Sequence, residues 1–225
     1  MHPSKRWYWD TLGERLVKAL EKNRIPAVYC SIKNEARERA LAEIPPSAKV
    51  GVGGSVTIRE VGLIDALEAR GNHVVHHWKP ELGHDKDGGR TGAFVPGGDS
   101  HVRREALNAD VYLCSSNVIT MDGKLVNMDG FGNRVAAMIF GPGRVIIVAG
   151  LNKVAKDVPA AIDRIKTVTA PMSCHRGRGK VPCAITTECT DCDSPERGCS
   201  VLTIIEKRPK GTDMLVILVG EELGL

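Results

Sequence analysis

Four cysteines crowd into one short stretch, CAITTECTDCDSPERGC, in which Cys183, Cys189, Cys192 and Cys199 are separated by five, two and six residues. Thiolates bind zinc and iron–sulfur clusters, and four of them within one segment converge at small loop-closure cost. Structural zinc usually draws on two Cys-x2-Cys knuckles. Here a single such pair is flanked by isolated cysteines, a style closer to a cluster site, although the spacing matches neither common ferredoxin pattern. The expectation is an iron–sulfur cluster of the 4Fe-4S type, with zinc as the alternative and a redox dithiol or unmetallated loop as the third reading. Cys174, beside His175, Arg176 and Arg178, is a candidate extra ligand or reactive thiol, because positive neighbours favour the thiolate. Disulfides are disfavoured. The total of seven cysteines is odd, and the opening residues lack an apolar secretory segment, so the expected location is the reducing cytoplasm.

A second candidate is the glycine turn Gly51-Val-Gly-Gly-Ser-Val-Thr57, set between a strand and a helix start, where backbone N–H groups can meet an anion. Gly53, Gly54, Ser55 and Thr57 are the expected contacts, and the ligand a phosphate, carboxylate or CoA-like group. The pattern is neither a P-loop nor a dinucleotide fingerprint, and a helix cap at Ser55 with purely turn-forming glycines is the competing reading. The third candidate runs through Asn117, Asp122, Asn127, Asp129 and Asn133. Turn formation would also explain such residues, yet they follow a strand expected to be central, where open α/β sheets place their ligands. Asn117, Asn127 and Asn133 are read as substrate contacts, and Asp122 and Asp129 as catalytic carboxylates. Glu60 is a candidate base, and Lys153 a cation on the same rim, a solvated surface charge being the ordinary fate of such a lysine. His73, His76 and His77 are read as structural or exposed, because no cysteine or carboxylate stands near them at a ligand spacing.

These residues need elements to hold them. Leu12, Leu16 and Leu20 recur every four residues, which predicts a helix over 5–24 that stops before Pro26. Strands are expected at 27–30, 49–52, 73–78, 111–114, 144–149, 201–206 and 214–219, and helices at 34–44, 57–70, 100–108, 133–140 and 158–168. The pairs Asp122-Gly123 and Asp129-Gly130 bracket Lys124 to Met128, and the first signals a hairpin. The stretch 80–99, crowded with Gly, Asp and Lys, reads as a substrate-covering loop. Cys30 and Cys114 fall in strands and are read as core. The alternating order predicts an α/β fold: a mostly parallel sheet flanked by helices, with a cysteine-rich metal-binding insertion over 172–200.

Taken together, Gly51 to Glu60, Asn117 to Gly123, Gly132-Asn-Arg134, Gly141 to Gly150, Asn152-Lys153 and the segment 183–199 resemble the lactate-utilisation (LUD) domain family from about Lys49 onward. The resemblance implies one domain over 1–225, with the fold of ribose-5-phosphate isomerase, sugar-phosphate deaminases and CoA transferases, in which a similar glycine turn holds a phosphate or acyl group. It also implies a link to an iron–sulfur system that oxidises lactate. The repeated Cys-x2-Cys-x2-Cys runs of the larger cluster-carrying subunit are missing here, so the chain resembles a short form with one cysteine site of its own.

Composition narrows the partners. The formal charge of +4 is dispersed and aromatics make up only 4%, which argues against nucleic-acid binding, and no apolar run is long enough to span a bilayer. The expected partners are an anionic small-molecule substrate, a redox partner protein and a second copy in a homodimer. The leading functional expectation is an oxidoreductase component or cluster-dependent lyase of organic-acid metabolism. Its alternatives are a non-redox isomerase-like or CoA-handling enzyme with structural zinc, and a regulatory module that binds a small acid.

Overall fold

A computed structural model describes residues 2–85, 89–92 and 99–225. Helix α1 (Pro3–Lys22) buries Trp9, Gly13, Leu16 and Leu20 along one stripe, as apolar four-residue spacing requires. Gly13 is needed there, since a Cβ would sit 2.3 Å from the Tyr29 ring. There follow β1 (Ala27–Cys30), α2 (Lys33–Ala42), β2 (Lys49–Val52), α3 (Val56–Glu60), α4 (Leu63–Ala69) and β3 (His73–Val75). The helix expected over 57–70 is thus two helices, broken at Gly62, whose φ of +74° is left-handed. The strand expected over 73–78 ends at Val75, which frees His77 and Trp78 from the sheet.

The chain continues through α5 (Ser100–Leu107), β4 (Val111–Cys114), β5 (Val118–Thr120), β6 (Leu125–Asp129), α6 (Asn133–Ile139), β7 (Arg144–Gly150) and β8 (Val154–Ala155). After α7 (Val158–Arg164), a π-type turn at Ile165–Thr169 leads directly into α8 (Ala170–Arg176). Where the sequence predicts a single helix ending at 168, the helical path therefore continues to 176, and the expected insertion over 172–200 begins inside α8. The remaining elements are α9 (Cys183–Thr186), β9 (Val201–Ile205) and β10 (Asp213–Val219).

Six strands form a fully parallel sheet in the order β1-β10-β7-β4-β2-β3. Strands buried on both faces should be apolar throughout, and β7 and β10 are so beyond their first residues, Arg144 and Asp213. Val145, Ile147 and Ala149 join Met214, Val216 and Leu218 in one core layer, while Ile146, Val148, Leu215, Ile217 and Val219 enter the opposite one. Period-two alternation thereby distributes two adjacent strands between two helix-covered layers. The expected mostly parallel sheet flanked by helices is what the chain builds, together with a second sheet that the pattern does not announce. Its order is β8-β5-β6-β9, with β5 and β6 forming the hairpin signalled by Asp122-Gly123. Cys30 and Cys114 are both buried, as expected for core residues.

Candidate functional site

Three adjacent parallel strands, β2, β4 and β7, deliver their C-terminal ends to one place: Gly53-Gly54-Ser55 after β2, Ser115-Ser116-Asn117 after β4, and the tight turn Leu151–Lys153 after β7. This is the edge where open α/β sheets bind ligands. The glycine turn has two jobs. Gly51 is packed so closely that a Cβ would lie 2.4 Å from the Ala106 carbonyl oxygen, and at Gly53 it would lie 3.0 Å from the Tyr112 hydroxyl. Gly54 is exposed and lines the cavity, where a Cβ would lie 3.4 Å from the His77 ring. Ser55 is the helix cap of the competing reading, its Oγ accepting a 3.3 Å hydrogen bond from Ile58 N.

Lys153 is the decisive departure from a surface charge. It is only 4% exposed, and its Nζ donates to Thr57 Oγ1 at 2.9 Å and Ser115 Oγ at 3.1 Å. Burial, reinforced by the positive charges of Arg134 and Arg164, pushes its pKa down to about 7. A lysine in that state supplies a free amine near neutral pH, the form that takes a proton or attacks a carbonyl. Ser55, Ser115, Asn117, Arg134 and Lys153 line a small polar recess, which shares Gly54, Asn117, Arg134, Ser173 and Arg176 with a cavity of about 870 Å³.

The Asn and Asp residues gather around one side chain that residue-by-residue reading passed over. Arg134 donates to Asp129 at 3.0 Å, to Asn127 Oδ1 at 3.0 Å, to Asn117 Oδ1 at 2.8 Å and to the carbonyls of Ser115 and Met128 at 2.8 and 3.2 Å. The guanidinium thus ties the open end of the β5–β6 hairpin to the end of β4. Asn127 also accepts from Ser116 and Asn117, and Asp129 from Val135 N. Asn117, Asp129 and Asn133 line the cavity, whereas Asn127 is fully buried behind it. Of the remaining expected site residues, Asp122 lies elsewhere, while Glu60 is close enough to Lys153 for its charge to oppose the lowering of the lysine pKa. Asp122 sits in the hairpin turn at the far end, bonded to Thr120 and paired with Lys124 at 3.4 Å. Glu60 is exposed, and its carboxylate accepts from Gly224 N at 2.6 Å.

Across the cavity, His77 and His84 are buried and meet edge to face, with ring centroids 5.3 Å apart. Burial lowers the pKa of both, that of His77 to about 2, so both imidazoles are neutral. Asp99 reaches them while held in a two-point grip by Arg103, Nε to Oδ1 at 2.9 Å and a terminal nitrogen to Oδ2 at 2.6 Å. His77 had been expected to lack a carboxylate neighbour. The long loop supplies one, together with a second histidine, at separations no motif would suggest. The loop residues 86–88 and 93–98, part of the segment expected to cover substrate, lie outside the described residues.

The chain's family follows from its length of match. A model of the LUD domain fits residues 13–219. The chain belongs to the LUD domain family. A crystal structure of a DUF162 family protein from Deinococcus radiodurans, at 1.70 Å resolution, shares the fold. It matches with a TM-score of 0.51 and 12% identity, over 94% of this chain and 98% of that one. No curated protein matches significantly.

In this LUD domain the cysteine segment is part of the cavity wall. Cys174, Pro195, Glu196, Arg197, Gly198 and Ser200 line it alongside Arg134. Cys174 lies against Cys183, and burial followed by that neighbour pushes its pKa up to about 11. The Cys199 thiol is raised by burial, opposed by Arg197 and reinforced by Cys189 and Cys192. Arg197 organises the segment by donating to the carbonyls of Cys192 at 2.7 Å and Cys199 at 3.1 Å, and to Asp191 at 2.7 Å. Five of the seven cysteines are thus linked in series, Cys174 to Cys183 and to Cys199, and Cys199 to Cys189 and Cys192. Among the described residues, no helix is long and apolar enough to cross a membrane.

Proposed function

We propose that this LUD-domain protein acts on a small organic acid of the lactate class, as an enzyme or electron-transfer component, in the large cavity, with an iron–sulfur cluster of the 4Fe-4S type held by Cys183, Cys189, Cys192 and Cys199. One observation carries the reading: residues 195–198, within the segment bearing those cysteines, line part of the cavity that also meets Lys153's recess. A metal loop serving stability alone would have no reason to line a ligand-sized space.

The residues suit the group. The donors are soft thiols in a segment with little regular structure, and Cys199 feels the charges of Cys189 and Cys192, while no three of the cysteine sulfurs lie within 4.8 Å of one another. The Cys199 thiol, raised by burial, would lose its proton when a metal supplied the compensating charge. Cys189 is exposed, so the segment is open to a redox partner protein. When bound, a cluster there would supply one-electron transfer.

The chain's own residues account for binding and proton handling. Arginines 90, 103, 134, 176 and 197 face the cavity against Glu81, Asp99, Asp129 and Glu196, and Lys153 adds a further positive charge whenever it is protonated, a balance suited to an anion. In its neutral form Lys153 Nζ accepts a proton from the substrate's hydroxyl or adjacent carbon. Thr57 and Ser115 hold the amine in place, and Asn117 and Asn133 offer amide hydrogen bonds to a hydroxyl or carboxylate.

The test is anaerobic purification with iron, sulfide and zinc analysis and visible absorption, followed by titration with L-lactate and other 2-hydroxy and 2-oxo acids. Iron and sulfide that disappear in Cys183→Ser and Cys192→Ser, with absorption perturbed by an acid, are expected. Zinc without iron after anaerobic handling would overturn the cluster. Acids that bind equally well to wild type and Lys153→Met, with equal turnover, would overturn the assignment of the pocket.

A further inference from the structure

The cavity wall opposite the cysteine segment carries a second set of ligand-type side chains, unrelated to the thiols. His77 follows β3, His84 follows the single helical turn Pro80–Leu82, and Asp99 immediately precedes α5. Three separate pieces of chain thus bring one ligand atom each to a common point, all within 4.8 Å of one another. Among the described residues this is the one group of three His, Cys, Asp or Glu side chains so disposed.

Packing does not account for the arrangement. A buried imidazole normally has its ring nitrogens satisfied, yet His84, only 8% exposed, keeps Nδ1 buried with no well-formed hydrogen bond among the described residues, the Leu82 backbone being the polar group nearby. Leaving such a group unsatisfied is unfavourable, a penalty that ligation would remove. Asp99 is pinned by the planar fork of Arg103, which itself lies over the Phe131 ring at 4.3 Å. Ligating carboxylates are usually hydrogen-bonded in this way by partners outside the coordination sphere. Arg103 and Arg176 also place positive charge nearby, which weakens affinity without displacing the donors.

Two imidazoles and one carboxylate are the donor set of transition-metal sites that keep positions open for substrate. We propose that His77, His84 and Asp99 bind one divalent first-row transition-metal ion, of the zinc and iron(II) class, with its remaining positions facing the cavity. This site does not depend on a cluster at the cysteines and stands or falls separately from it.

The probe is cobalt(II), added to chelator-treated, iron-free full-length protein carrying Cys183→Ser and Cys192→Ser to quiet the thiols. Binding at the histidine site gives weak d–d bands without the intense sulfur-to-metal charge-transfer absorption of thiolate ligation. One such cobalt per chain is expected. His84→Ala and Asp99→Asn should each weaken it by more than about tenfold, since even partners outside the coordination sphere are worth about 10–100-fold. Arg103→Lys should fall within that range. Circular dichroism establishes that each variant is folded, and two independent ligand variants guard against one that is not. Cobalt spectra and affinity unchanged in folded His84→Ala or Asp99→Asn, or absorption of thiolate character alone, would overturn the proposal.

Discussion

Replacing Lys153 by methionine should stabilise the protein at neutral pH and lose that advantage as the pH rises. The unfolded chain keeps the lysine proton up to a pKa of about 10.4, whereas the folded chain releases it at about 7 because the amine is buried beside Arg134 and Arg164. Between those values the unfolded state binds more protons, so unfolding free energy rises with pH, by up to about 1.4 kcal/mol per unit. The same relation gives a penalty from the buried lysine of about 4 kcal/mol at pH 7, about 2 kcal/mol at pH 9, and almost nothing above pH 11. Methionine removes the penalty but forfeits the hydrogen bonds to Thr57 and Ser115, each worth about 1 kcal/mol. The net gain at pH 7 should be about 2 kcal/mol, vanishing near pH 9 and becoming a loss of about 1 kcal/mol at pH 10. Urea unfolding of both proteins at pH 7, 8, 9 and 10 measures this, with the difference between them as the readout. A stability difference that stays constant across the series would refute the buried, depressed lysine and, with it, the proposed proton acceptor.

Other outcomes follow from the same geometry. Gly51→Ala forces a Cβ to 2.4 Å from a backbone oxygen and should destabilise by at least about 2 kcal/mol in denaturant unfolding. Arg134→Met leaves the buried Asp129 carboxylate without its ion-pair partner and strips one donor each from Asn117 and Asn127, and should cost about 3–5 kcal/mol, visible also as faster hydrogen exchange in β5 and β6. Asp122→Asn, at an exposed turn, should change stability by less than about 1 kcal/mol and leave acid binding unaltered in titration calorimetry.

The alternation of strands and helices was legible because apolar periodicity is local. Glycine turns, proline stops and the Asp122-Gly123 hairpin could all be placed from a few adjacent residues. Pairing between distant segments could not. The β6–β9 ladder joins Asn127 to Thr203, and a two-residue strand such as β8 has too few residues to show a period. The site divided in the same way. Ser55, Asn117 and Asp129 stand at strand ends and were found, while the burial of Lys153 depends on the neighbouring strand ends and on Gly224 close to its amine. His84 and Asp99 lie 7 and 22 residues beyond His77, and only the path of the intervening loop makes them neighbours. Arg134 resembled any surface arginine, because its five acceptors come from two stretches of chain outside its own helix, 115–117 and 127–129.

The place of β10 in the sheet also governs how the protein can be assembled. This strand pairs with β1 on one side, from Ala27 opposite Val216, and with β7 on the other, from Arg144 opposite Asp213. Until residues 213–219 have been synthesised, β1 has no strand to join and β7 presents a bare apolar edge of the kind that invites association. The nascent chain must therefore carry the completed cysteine segment, which precedes β10, before its central sheet can close. A chain stopped short of residue 213 would be divided through the middle of its sheet, and such a product should aggregate instead of folding into a smaller domain.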